Sequence, residues 1–119
     1  MSFALTYEPQ EQFVRARVEG SPTLAEFLEI LQKLGRDSAG WPQDRVLIDL
    51  RGVIPIYSFT EQFTIGEEVG RSLKHLRRFA SVVAVGRITR VSEKAATHRG
   101  VNVRVFDDED QAVTWLLAE

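Results

Sequence analysis

Apolar and polar positions alternate in two rhythms along the chain, and together they assign nearly every element. Val14, Ala16 and Val18 alternate with Phe13, Arg15 and Arg17, the period of a strand with one buried and one wet face. Phe3 to Tyr7 forms an earlier short run, and Glu8, Pro9, Gln10 and Glu11 between the two suit a turn. Leu24, Phe27, Leu28, Leu31 and Leu34 then recur at helical spacing. Ser21 or Thr23 caps this helix, Thr23 and Glu26 have the spacing of a capping box, and the helix is expected to end near Gly35 or Arg36.

Val46 to Leu50 is too apolar for a half-wet strand and reads as buried on both faces, interrupted only by Asp49. Phe59, Phe63, Val69, Leu73 and Leu76 mark one stripe of a long helix predicted from about Thr60 to Arg77, with Ser58 and Glu61 as a second capping pair. Phe79 to Val85 is another apolar strand, so residues 45 to 85 make a strand-helix-strand unit with a parallel, right-handed crossover. Gly86 to Arg90 is a loop, Ser92 to His98 a short helix and Val101 to Phe106 a strand. Asp107 or Asp108 caps a last helix expected to bury Ala112, Trp115 and Leu116. The order ββαβαβαβα predicts an α/β fold with a single-layer mixed five-stranded sheet and four helices.

Composition narrows the function classes. The 119 residues fit one domain spanning 1–119. No apolar run is long enough for membrane insertion, and Met1 to Leu5 lacks the basic start and apolar stretch of a signal peptide, which predicts a cytoplasmic protein. The chain has no cysteine, and its two histidines, His75 and His98, lack metal-ligand spacing, so neither thiol catalysis nor a metal site is expected. Residues 71 to 104 carry nine basic side chains and one acidic one between acidic flanks. Without interleaved aromatics or a nucleic-acid module, this block reads as a solvated face and not as a nucleic-acid interface.

Candidate chemistry gathers at one edge. With the last three strands parallel, the connections Arg51 to Phe59, Gly86 to Val91 and Asp107 to Glu109 emerge together at their carboxyl ends, where open α/β sheets collect ligands. Ser58 reads first as an ordinary N-cap, while the N-terminal dipole of the helix it starts, with Arg87 and Arg90, also suits an anion or a phosphate on Ser58 itself. Arg87 and Arg90 are expected to pair with Asp107 and Asp108. Tyr57 is expected at the rim with its hydroxyl in water. Val53, Ile54, Pro55, Ile56 and Phe59 make an unusually apolar connection, suited to covering the core or to forming the mouth of an apolar pocket. Gly66 and Gly70, one turn apart, suit close packing on the sheet. Ser58, His98 and Asp49 supply the residue types of a hydrolytic triad without a nucleophile elbow, so no catalytic residue is assigned.

The element order resembles the STAS domain, the fold of bacterial anti-sigma factor antagonists and of sulfate-transporter tails. Its centre, Leu47 to Thr60, is similar to the family's strand, acidic-apolar loop and Asp-Ser-Ser-Gly helix start, where a kinase phosphorylates a serine. Ser58 matches the first serine, Tyr57 replaces the aspartate, and Phe59 and Thr60 replace the second serine and the glycine. Val105 to Leu116 resembles the ending of the bacterial branch labelled STAS/SEC14 or SpoIIAA-like. The resemblance implies a non-enzymatic interaction or regulatory module without cofactor. The edge formed by Arg51, Ile54, Ile56, Tyr57, Ser58, Phe59, Thr60, Arg87 and Arg90 would meet a protein partner or a second copy of the chain. The alternative is a carrier or sensor of a small apolar or anionic ligand at the same edge.

Overall fold

A computed structural model describes residues 3–118 of the protein. In chain order its elements are β1 (Phe3–Pro9), β2 (Val14–Gly20), α1 (Leu24–Ser38), β3 (Arg45–Val53), α2 (Phe59–Ser72), β4 (Arg78–Val82), α3 (Val91–His98), β5 (Val103–Phe106) and α4 (Glu109–Leu117). The five strands lie in the sheet in the order β1-β2-β3-β4-β5. Only β1 is antiparallel to its neighbour. This is the mixed α/β sheet that the sequence predicts. Among the described residues no helix is long and apolar enough to cross a membrane.

Each face of the sheet has its own cover. Ala16, Val18, Val46, Ile48 and Phe79 pack under α1, α2 and α3 through Phe27, Leu31, Leu34, Val69 and Ala96. On the other face Phe13, Leu47, Ala80 and Val82 meet α4 through Ala112 and Leu116. A strand covered on both sides has no wet face, which is why Val46, Leu47 and Ile48 are all buried in succession. Ala16, Ile48, Ser81 and Val105 stand opposite one another across β2 to β5 and form one row beneath the three helices. In the middle of that row the apolar pattern is broken by the hydroxyl of Ser81.

Several boundaries and faces differ from the sequence reading. α1 passes Gly35 and runs to Ser38, because Gly35 lies inside the crossing with α2, where a Cβ would stand 2.5 Å from the Ser72 carbonyl oxygen. α2 stops at Ser72 instead of Arg77. Leu73 and Leu76 are buried in the turn that follows, closed by the Leu76 N–H donating to the Leu73 carbonyl. β4 ends at Val82, so Val85 lies in the connection and is 83% exposed. The stripe predicted on α2 holds only at its end: Phe59 and Phe63 face solvent, and the buried face of the helix starts at Ile65. Gly66 and Gly70 pack closely, but on α3 and the turn after it rather than on the sheet. Trp115 is half-buried, with the Arg78 guanidinium 5.0 Å from its ring centre. The basic block is largely a solvated face, with Arg71 paired to Glu68, Arg90 to Glu93 and Arg99 to Glu67.

Candidate functional site

The connections after β3 and β4 meet at the carboxyl edge of the sheet, and a cleft of about 240 Å³ opens between them; the connection after β5, expected beside them, does not line it. Phe27, Leu50, Val53, Ile56, Tyr57 and Ile65 form its apolar side. Ser81, Gly86, Arg87, Thr89, Arg90 and Ser92 form a more polar side on β4 and the start of α3. Beneath it lies a smaller chamber of about 40 Å³ that shares Phe27, Leu50, Ile65, Ser81, Ser92 and Val105 with the cleft. Of the two roles the apolar loop suggests, it performs both: Val53 is buried in the core, while Pro55 and Ile56 line the mouth.

The mouth is braced by hydrogen bonds between the connections. Arg87 donates to the carbonyl oxygens of Val53 at 3.0 Å and Ile54 at 3.4 Å. Gln62 donates to the Tyr57 carbonyl at 2.8 Å and accepts from the Thr89 hydroxyl. Arg90 pairs with Glu93 at 2.6 Å and donates to the Val105 carbonyl at 2.9 Å. Neither arginine pairs with Asp107 or Asp108, as the sequence suggested. The loop turns both side chains toward backbone carbonyls and α3, and Asp108 is occupied in capping α4 through the Gln111 N–H.

Tyr57 is not a rim residue with a wet hydroxyl. Its ring meets Phe27 edge-on at 5.5 Å, and its hydroxyl donates to the Pro22 carbonyl at 2.8 Å. Burial, reinforced by the nearby negative charge of Glu61 and Glu26, pushes its pKa up to about 12. Ser58 caps α2 as predicted, its hydroxyl accepting from the Glu61 N–H at 3.2 Å while the Glu61 carboxylate accepts from the Ser58 N–H at 2.8 Å. No hydrogen bond joins Arg87 or Arg90 to Ser58 among the described residues; Arg87 is held by the Val53 and Ile54 carbonyls and Arg90 by Glu93 and the Val105 carbonyl.

Arg51 faces away from the cleft. Its guanidinium sits 2.9 Å from the Asp49 carboxylate and 2.6 Å from Glu109. Arg15 bridges Glu109 and Glu8, and Arg17 bridges Glu8 and Asp49. The resulting ring of alternating charges ties β1, β2 and β3 to the first turn of α4. Burial opposes the charge on Asp49, yet hydrogen bonds from the Arg51 side chain and backbone N–H hold its carboxyl below the usual range. Such a set serves structure, since every member already has a partner of opposite charge.

The edge is also the apolar surface of the molecule. Ile54, Ile56, Phe59, Phe63 and Val85 are the exposed large hydrophobic side chains among the described residues, and all five lie on the connections or the first two turns of α2 at this edge. Ile54, Ile56 and Phe59 were legible in the sequence. Phe63 and Val85 were not, because the helical and strand patterns assigned them to the core. Ser81 and Ser92 were also missed; the available signal was one hydroxyl inside an otherwise apolar strand at Ser81. No group of histidine, aspartate or glutamate residues able to hold a metal ion occurs among the described residues.

This arrangement, a chain-ordered mixed five-stranded sheet with four helices unevenly divided between its faces, defines a STAS-type α/β domain. The chain belongs to the SpoIIAA-like family, whose pattern it matches over residues 13–117. Among solved structures it is similar to an anti-sigma factor antagonist from Mycobacterium paratuberculosis, at 16% identity and a TM-score of 0.69 over 98% of this chain and 96% of that one. It is also similar to an uncharacterised Shewanella loihica protein with a SpoIIAA-like fold, at 17% identity and a TM-score of 0.58 over 97% and 94% of the two chains. At these identities the likeness is one of fold. No curated protein sequence matches the chain significantly.

Proposed function

We propose that the protein is a cytoplasmic, non-enzymatic regulatory module that meets a protein partner, or a second copy of itself, through the edge at residues 51–60. The observation that carries this reading is the concentration of Ile54, Ile56, Phe59, Phe63 and Val85 on one edge of an otherwise ordinary surface. Exposed apolar side chains gathered in one place mark interaction surfaces. Phe59 and Phe63, one helical turn apart, supply the aromatic anchors that dominate such contacts. The fold shared with an anti-sigma factor antagonist supports a protein partner. Within the edge, Ile54, Ile56 and Phe59 make the contact. Tyr57, Ser58 and Thr60 shape the helix start, and Arg51 anchors the loop to α4.

The test is the double substitution Ile56→Glu and Phe59→Glu, which alters exposed positions and leaves the Tyr57 packing intact. Sedimentation velocity and affinity capture from the native host should show a self-associated or partner-bound species for the unmodified protein and its loss in the variant. Identical behaviour of the two proteins at matched stability rejects the reading. A second reading, a carrier or sensor of a small ligand, is favoured by one specific observation, the cleft behind this apolar rim.

A further inference from the structure

Three features of the cleft concern charge and hydrogen bonding rather than apolar area. Ser81 is 8% exposed, lies in the floor of both the cleft and the inner chamber, and its hydroxyl has no hydrogen-bond partner among the described residues. The hydroxyl is not sealed away as an unsatisfied buried atom: it opens onto the cleft, where it can donate to or accept from a polar group that enters. Second, α3 begins at this wall without a side-chain cap: Arg90, the residue before it, adopts a left-handed conformation at φ 67° and offers no acceptor to the first-turn N–H groups. Ser92, in that first turn, lines the same space. Third, among the described residues Arg87 has only carbonyl oxygens as partners and no carboxylate within ion-pair distance, while the acidic residue of that turn, Glu93, is already neutralised by Arg90 and accepts from the Val105 N–H at 2.8 Å. The polar side of the cleft therefore offers hydroxyls, uncapped N–H groups and one uncompensated cation.

The opposite side offers none of these. Phe27, Leu50 and Ile65 supply aromatic and aliphatic surface. We propose that the cleft binds a compact amphiphilic monocarboxylate, with the carboxylate placed against Ser81, Ser92 and the start of α3 under the field of Arg87, and its apolar body against Phe27, Leu50 and Ile65. This assignment rests on the carrier or sensor reading and names its ligand class. Helix N-termini and arginines favour an anion at that place, and the apolar wall rejects a purely polar one such as acetate. At roughly 30 Å³ per water-sized group, the cleft admits a body of about eight such groups, which excludes long lipid chains folded wholly inside.

Octanoate is the probe, with 1-octanol as its neutral counterpart, followed by calorimetry and by backbone amide shifts in a two-dimensional NMR spectrum of the full chain. Octanoate is expected to bind saturably, to shift the amides of Ser81, Arg87 and Ser92, and to bind about tenfold more tightly than 1-octanol. Ser81→Ala should weaken octanoate by roughly five- to tenfold while leaving 1-octanol binding and the thermal midpoint nearly unchanged, and Arg87→Gln, which also loosens the brace at Val53 and Ile54, should weaken octanoate five- to tenfold more than it weakens 1-octanol. Arg87→Lys, which keeps the charge, should recover part of the lost affinity. If 1-octanol binds as tightly as octanoate, or if both variants bind octanoate normally, the anionic ligand class is wrong and the carrier reading stands. If neither probe gives saturable binding or moves those amides, the ligand assignment falls and the carrier reading loses its support.

Discussion

Gly66 of α2 lies so close to Ser92 of α3 that a Cβ on the glycine would stand 2.5 Å from the Ser92 carbonyl oxygen, and 2.7 Å from the Ala95 Cβ. The missing side chain sets the spacing of the two helices, and Ser92 is in turn part of the cleft wall. Helix packing and cleft width are thus one quantity at this point.

Gly66→Ala should therefore destabilise the protein by about 2 kcal/mol, the cost of overpacking a tight contact. The gain of about 1 kcal/mol that alanine brings in helix propensity is too small to offset it. Urea unfolding should show a lower midpoint, and a midpoint unchanged or raised means that the α2–α3 seam can open without cost.

The cap at Ser58 makes a second expectation. Ser58→Ala removes the acceptor for the Glu61 N–H and should cost ~1 kcal/mol, whereas Ser58→Asn should retain most of the cap. Equal thermal midpoints for the alanine variant and the parent exclude a structural role for the hydroxyl.

Acid should weaken the charge ring. The folded carboxyl of Asp49 titrates below its usual range, so the unfolded chain takes up its proton first as pH falls. The contribution is fully present above about pH 4 and is lost as pH drops through the lower folded value. Asp49→Asn, measured by denaturant unfolding between pH 2 and 6, should flatten this loss; a slope identical to the parent's refutes the assignment.

Alkali acts on Tyr57 with the opposite sense. Its folded pKa of about 12 exceeds the ordinary value of 10, so its contribution is complete below pH 10 and declines as pH rises from 10 toward 12. Tyr7, also raised by burial and by its hydrogen bond to Asp37, adds to the same slope. Tyr57→Phe should lose about 1 kcal/mol at neutral pH with the Pro22 hydrogen bond and show a shallower alkaline decline. An unchanged slope means that the phenol is not protected in the folded state.

Element types and order were readable because each depends on local periodicity: Val14, Ala16 and Val18 follow the strand period, and Val46 to Ile48 the doubly covered strand. Caps were equally local, and Thr23 with Glu26 and Ser58 with Glu61 form reciprocal capping boxes. What escaped was set by contacts distant in sequence. Nothing near Phe63 says that this end of α2 overhangs the sheet edge, so the helical stripe was read as core there, although the apolar loop had already placed Phe59 at the edge. The carbonyl partners of Arg87, at Val53 and Ile54, lie more than thirty residues away. Ser81 looked incidental within an apolar strand, and only the register that places it between Ile48 and Val105 reveals a hydroxyl in the floor of a cleft.

The division of helices between the two faces carries a consequence for folding. The three-helix side is built from segments that precede α4, but Leu47, Ala80 and Val82 have no cover until α4 docks. A folding chain whose central strands have paired before α4 arrives presents one apolar face bare. That species is the one most open to mispairing and most in need of a chaperone's shelter.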